Sequence, residues 1–298
     1  MKIKSRRFVA VDILLLLGAI LPLVAGMALK ILTNEPSNGI SITGASVYFT
    51  IPMPLMDLLI TEAQVNSLLV IVTLIFVCLY FTHGLKVHPE LKRQVIAEWI
   101  VEKCDGLVNQ NMGPYFASYA PFVAAIMALS AVSSLLSLLG LYPPTSDINV
   151  TAGWAILVFI LITYYKLKCG LGNYLKSFTE PIVVLLPLNI LGEVATPVSM
   201  AFRHFGNVLS GSVIAVLIST ALQGLSAMLL NWLPGVLGEI PFLQIGLPAV
   251  LSLYFDLFSG ALQAFIFAML TMLNVSGAFS QELYEARKQK KLAKKLAQ

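Results

Sequence analysis

Arg203 lies in the almost uninterrupted apolar run Val194–Leu222, within the string Met200-Ala201-Phe202-Arg203-His204-Phe205-Gly206-Asn207. An arginine keeps its proton in essentially any protein environment. Holding that charge at membrane depth costs about 3 kcal/mol, so such a residue faces a partner charge or a water-filled cavity. Ser199, Asn207, Ser210 and Gly211 recur around it at helical spacing and share one face with it. The run Ile245–Gly277 carries Ser252, Asp256, Ser259, Gly260 and Gln263 in the same fashion. Two such stripes on antiparallel neighbours can face one another or a shared cavity. That arrangement suits ion conduction, because an ion crosses an apolar core only along a hydrated polar path. A fixed positive charge between two such paths blocks straight leakage and favours the ionised form of a carboxylate beside it. No comparable stripe is expected on the third or fourth apolar span.

Other readings of these residues stay open at this level. Arg203 and Asp256 can form a buried ion pair joined to Gln263, serving as glue between helices. Arg203 can bind an anionic substrate in a secondary transporter, although the internal repeat expected of that class is absent. A structural assembly subunit without a conducting role is a third reading. Asp256 can relay protons, since burial and a neighbouring positive charge act on a carboxyl group in opposite senses. His204 points about 100° away from Arg203 around the helix. It either lines an aqueous path or stands as a neutral imidazole between helices. His83 and His88 are badly spaced for a helical metal pair, and Cys78, Cys104 and Cys169 match no metal or disulfide framework. With no Walker loop and no nucleophile–base motif, no catalytic residue, metal or cofactor is expected.

The elements that must position these residues are membrane spans. The 298-residue chain is 58% hydrophobic and only 11% charged, against about 25% charged in a soluble domain. The fold class is therefore an all-α polytopic membrane protein. Apolar runs predict six transmembrane helices near Phe8–Leu32, Val65–Phe81, Tyr119–Leu141, Ala152–Leu167, Val194–Leu222 and Ile245–Gly277. The last two exceed the bilayer core, which is about 30 Å thick, so they must tilt or kink, with Pro181, Pro187, Pro197 and Pro248 breaking their approaches.

Charge sets the orientation. Thr33–Gln64 and Tyr142–Thr151 lack lysine and arginine and belong outside. Lys86, Lys92, Arg93 and Lys103, then Lys166, Lys168 and Lys176, mark inside segments. Lys2, Lys4, Arg6 and Arg7 at the start, and Arg287, Lys288, Lys290, Lys291, Lys294 and Lys295 in the tail 280–298, put both termini in the cytoplasm; nucleic-acid binding is not expected. The first span reads as a retained helix, a cleaved signal peptide being the alternative. Leu91–Val108 places Ile96, Trp99, Ile100 and Leu107 on one face, with Lys92, Arg93, Glu98, Glu102 and Asp105 elsewhere. That pattern fits an amphipathic helix on the cytoplasmic membrane surface or a loop helix packed on a partner.

Three segments carry a resemblance. Pro187-Leu188-Asn189-Ile190-Leu191-Gly192-Glu193, followed by Pro197-Val198-Ser199 and Phe202-Arg203-His204-Phe205-Gly206-Asn207, resembles subunit a of the F-type ATP synthases. Leu262-Gln263-Ala264-Phe265-Ile266-Phe267 is similar to the glutamine motif of that family's last helix, and Pro143–Thr151 to one of its loops. The likeness runs from about Pro52 to Phe279, so the chain reads as one membrane domain, with 52–279 the family-like core and 8–32 an added helix.

The resemblance implies a stator beside a rotating c-ring, held by b-type peripheral-stalk subunits, with a proton or sodium ion as cargo and a bacterial plasma membrane as its place. Arg203 then separates two aqueous half-channels, with Asn207 and Gln263 near it. Glu193 lines the inner path or anchors a helix at the interface. Ser199, Ser210, Ser212, Ser252 and Ser259 are further candidates to line the half-channels. Three positions depart from the family pattern. His204 replaces a frequent leucine, Ser212 a glutamate or histidine, and Asp256 a histidine or glutamate. Asp256 is thereby expected to carry the outer titratable function largely alone.

Overall fold

The computed structural model describes residues 6–33, 44–54, 57–87, 91–230, 243 and 246–296. Lys2, Lys4, His88 and Ile245 lie outside them, as do the side chains of Ser252 and of Lys288, Lys290, Lys291, Lys294 and Lys295. Among the described residues, six helical stretches are long and apolar enough to cross a membrane. They are built from α1 (Arg6–Thr33), α2 (Glu62–Thr82), α4 (Ala120–Leu135), α5 (Ile148–Cys169), α7 (Leu186–Leu230) and a composite last span. That span begins as α8 (Leu247–Ser252), widens into a π-helical turn (Leu253–Ser259) and continues as α9 (Gly260–Gly277). Three further α-helices occur among the described residues: α3 (Lys92–Met112), α6 (Leu171–Thr179) and α10 (Gln281–Leu296).

The main core lies where α3, α4, α5, α7 and α9 meet, around Val108, Phe116, Val123, Val158, Met200 and Phe267. Such packing holds the two stripe-bearing helices in a fixed relation to α4 and α5. Peripheral α1 lies along α2, with Gly18 over the Phe76 ring and Gly26 over Leu69. Its N-terminal half is fastened by a charged cluster. Arg93 Nη1 donates to Asp12 Oδ1 at 2.6 Å, and His83 Nδ1 lies 2.9 Å from the same oxygen. The guanidinium also stacks near the rings of Phe8 and Tyr80. Gly84, at φ 78°, lets the Phe8 ring occupy the space a Cβ would fill.

Several boundaries differ from the sequence expectation. Helix α7 starts at Leu186 rather than Val194 and runs for 45 residues, about 67 Å at 1.5 Å per residue. Pro187 falls in its first turn, where a missing N–H leaves no bond unmade. Pro197 is carried inside the helix, as membrane helices tolerate when neighbours pack closely. An antiparallel hairpin, β1 (Val47–Ile51) with β2 (Leu58–Thr61), lies between α1 and α2 and pairs Phe49 with Ile60. On α3, Arg93 is buried rather than a polar surface position, because Asp12 compensates its charge. The stripe Val95, Ile96, Trp99 and Ile100 is exposed, as an interfacial helix requires.

Candidate ion path

Arg203 projects from the middle of α7 and is exposed. Among the described residues it makes neither an ion pair nor a hydrogen bond, so the buried Arg203–Asp256 pair weighed from the sequence is not formed. Its surroundings are apolar. Val198 and Phe202, its neighbours on α7, are 46% and 59% exposed. Ser199 and Ser210 share this exposed side of α7.

Toward the composite span, α7 makes a polar clasp. Asn207 Nδ2 donates to the Ser259 carbonyl at 3.4 Å, and Ser259 Oγ donates back to Asn207 Oδ1 at 2.9 Å. One turn further along, Gly211 gives room to Phe255, whose side chain lies 3.0 Å from where a Cβ would stand. Asp256 is half-buried on the π turn. A π turn holds an extra residue relative to an α turn and recurs at functional sites. It rotates Asp256 relative to Gln263, which is 5% exposed in the core of α9. Ser210 and Ser212 bond back to their own helix, at Asn207 O and Leu209 O.

His204 is fully buried, and Ser130 Oγ lies 3.3 Å from its Nε2. Trp154 and Phe267 meet its ring edge-on. Ser130 belongs to a set the sequence reading missed. Ser130, Ser133, Ser134 and Ser137 repeat at positions i, i+3, i+4 and i+7 along the third span, and the first three are buried. The third span thus carries a polar stripe after all; the helical spacing of the serines was the available signal.

Glu193 stands ten residues before Arg203, about 15 Å along the helix axis. Its carboxylate is 3.0 Å from Lys166 Nζ and accepts from the Tyr174 hydroxyl at 3.0 Å. A cavity of about 250 Å³ opens beside this pair, lined among others by Thr196, Leu273 and Asn274. Lys166 marked only orientation in the sequence; here it neutralises a buried acid. Glu62 was also missed. It is 3% exposed, pairs with Lys30 at 3.2 Å and accepts from the Tyr142 N–H.

The described spans form a polytopic helical bundle with a guanidinium exposed on an apolar face and a polar clasp beside it. Residues 65–276 match the family model described as ATP synthase A chain. The chain is 30% identical over 217 residues to ATP synthase subunit a of Macrococcus caseolyticus, covering 69% of this chain and 85% of that one. It is 31% identical over 237 residues to the same subunit of Priestia megaterium, covering 75% and 94%. A third relative, 28% identical over 242 residues and covering 76% of each chain, is the sodium ion specific ATP synthase subunit a of Propionigenium modestum.

The chain therefore belongs to the ATP synthase A chain family. It is a multi-pass membrane subunit of the ion-translocating sector, non-catalytic on its own, and the secondary-transporter reading falls. Helices α1 and α10 lie outside the matched residues.

Proposed function

We propose that the exposed apolar face of α7 and the π turn is the surface along which a c-type rotor passes, with Arg203 meeting the rotor's ion-binding carboxylate. The observation that carries this reading is the exposure of Arg203 inside an apolar span, beside the exposed Val198 and Phe202. A guanidinium in an apolar setting requires an opposite charge, and a carboxylate arriving from outside the chain supplies it. The bidentate donor pattern of arginine suits a carboxylate that must be held ionised and then released.

On this reading the ion enters from the outer side past Asp256 and leaves past Glu193 and the cavity beside Lys166. Asn207 and Ser259 hold the two helices in register near Arg203, and Gln263 supports the same region from the core of α9. The core 52–279 conducts, α1 is an added peripheral helix, and b-type stalk subunits keep the assembly from turning with the rotor. The basic ends support cytoplasmic termini in a bacterial plasma membrane.

A photoreactive benzoyl-phenylalanine at Phe202 tests the assignment in the assembled complex. The expected product joins this chain to a rotor subunit, in high yield and dependent on illumination. Crosslinks to lipid or stalk subunits alone would contradict it.

A further inference from the structure

Helix α10 lies beyond the matched residues 65–276 and begins three residues after the last span ends at Gly277. Its first turns are fastened to the end of α5. Arg287 Nη1 donates to the Leu167 carbonyl at 2.9 Å and to the Lys168 carbonyl at 3.0 Å. These are acceptors that the end of a helix leaves unpaired, and the guanidinium there meets the negative end of the macrodipole. The Ser280 N–H donates to Cys169 Sγ at 3.4 Å. Tyr284 packs its ring on Phe279, and Lys168 Nζ stands 5.8 Å from that tyrosine ring and close to the rings of Tyr164 and Tyr165. Tyrosines gather at membrane–water interfaces, and α5 is itself long and apolar enough to span. Helix α10 therefore starts at the rim of the bilayer.

The last twelve residues, from Arg287 to Gln298, hold six bases and no acid. By helical geometry Arg287, Lys288, Lys290, Lys291, Lys294 and Lys295 fall within about 160° of arc, on the same side of α10 as Leu283 and Tyr284. The side that docks at the end of α5 is thus the basic one. Like charges three and four residues apart destabilise a helix, and a helix of 16 residues is marginal without packing. The macrodipole accounts for bases in the last turn, such as Lys294 and Lys295, but not for Lys288, Lys290 and Lys291. A topogenic signal requires a number of charges, not a face. One-sided placement calls for a counter-charge along that side.

We infer that the basic side of α10 lies on the anionic phospholipid headgroups of the inner leaflet, which supply that counter-charge and keep the helix formed. This rests on the reading that the C-terminal end is cytoplasmic. Each base held within a Debye length of an anionic surface adds to the attraction, and a polybasic segment directly after a span is well placed to reach it. The helix then acts as a tether. Through Arg287 and Ser280 it holds the ends of α5 and α9 at the level of the headgroups.

The test is backbone amide exchange of residues 286–296, followed by mass spectrometry on the assembled complex in nanodiscs, whose two faces are open whichever way the chain is oriented. Discs of phosphatidylcholine alone are compared with discs that also contain phosphatidylglycerol, at low salt. Exchange is expected to slow roughly tenfold or more with phosphatidylglycerol, and high salt should abolish the difference. A variant combining Lys288→Gln, Lys290→Gln, Lys291→Gln, Lys294→Gln and Lys295→Gln keeps Arg287 and a helix propensity close to that of lysine. It should exchange equally in both lipids. Equal exchange by the unaltered chain in both lipids overturns the inference, as does a lipid dependence that the variant retains. Protection already complete in phosphatidylcholine, and lost when the soluble head is stripped off, would assign the basic side to an acidic protein surface and overturns it too. The reading beneath is tested apart. A C-terminal tag removed by protease from the outside of right-side-out vesicles would put the tail on the outer side, whatever the nanodiscs show.

Discussion

Asp256 and Glu193 are both carboxylates of the two stripe-bearing spans, yet their surroundings differ. Glu193 is held by Lys166 and the Tyr174 hydroxyl at 3.0 Å each. Asp256 lies half-buried on a π turn beside the Asn207–Ser259 clasp. In the proposed path Asp256 loads ions on the outer side. Asp256→Asn keeps the shape and removes the titration, so ATP-driven pumping should drop by about a hundredfold, at the lower end of what a positioned acid–base group contributes. Initial rates in vesicles would show it, with assembly followed by the yield of purified complex. Unchanged rates would remove Asp256 from the ion's route. Sequence spacing singled out Arg203, Asn207 and Asp256, because isolated polar residues in apolar runs are conspicuous. It did not reveal Lys166 or Glu62, whose importance arises only from partners far along the chain.

At the scale of elements, the spans were legible because about twenty apolar residues are needed to cross a bilayer, and runs of that length are easily recognised. The hairpin β1–β2 was not, since five- and four-residue strands leave a short pattern inside an irregular loop. The serine stripe of the third span escaped because serine also reads as a small packing residue; only its burial distinguishes it. The fastening of α1 likewise joins Asp12 to Arg93, 81 residues apart. Breaking a buried pair by removing one partner costs about 3–5 kcal/mol. Asp12→Asn should therefore lower the thermal unfolding midpoint of the detergent-solubilised chain by several degrees, with α1 the first segment to become protease-sensitive. An unaltered midpoint and digestion pattern would show that the α1–α2 packing alone holds the helix.

For the whole molecule, the division of labour follows from which faces are covered. Helices α4, α5 and α9 cover one side of α7 and bury His204, Met200 and Gln263. The other side is left apolar and exposed, with Arg203 upon it. An uncovered apolar face is ordinary for a helix in lipid, but an uncovered guanidinium at that depth is costly, and in the proposed function a rotor carboxylate offsets it. The central claim is therefore that Arg203 acts on a partner's carboxylate in the ion path. Its most direct test is ATP-driven pumping by the assembled complex carrying Arg203→Lys, which keeps the charge but loses the planar, forked donor pattern. Normal assembly with pumping abolished is the predicted result. Normal assembly with normal pumping would contradict the account and leave Arg203 a structural residue.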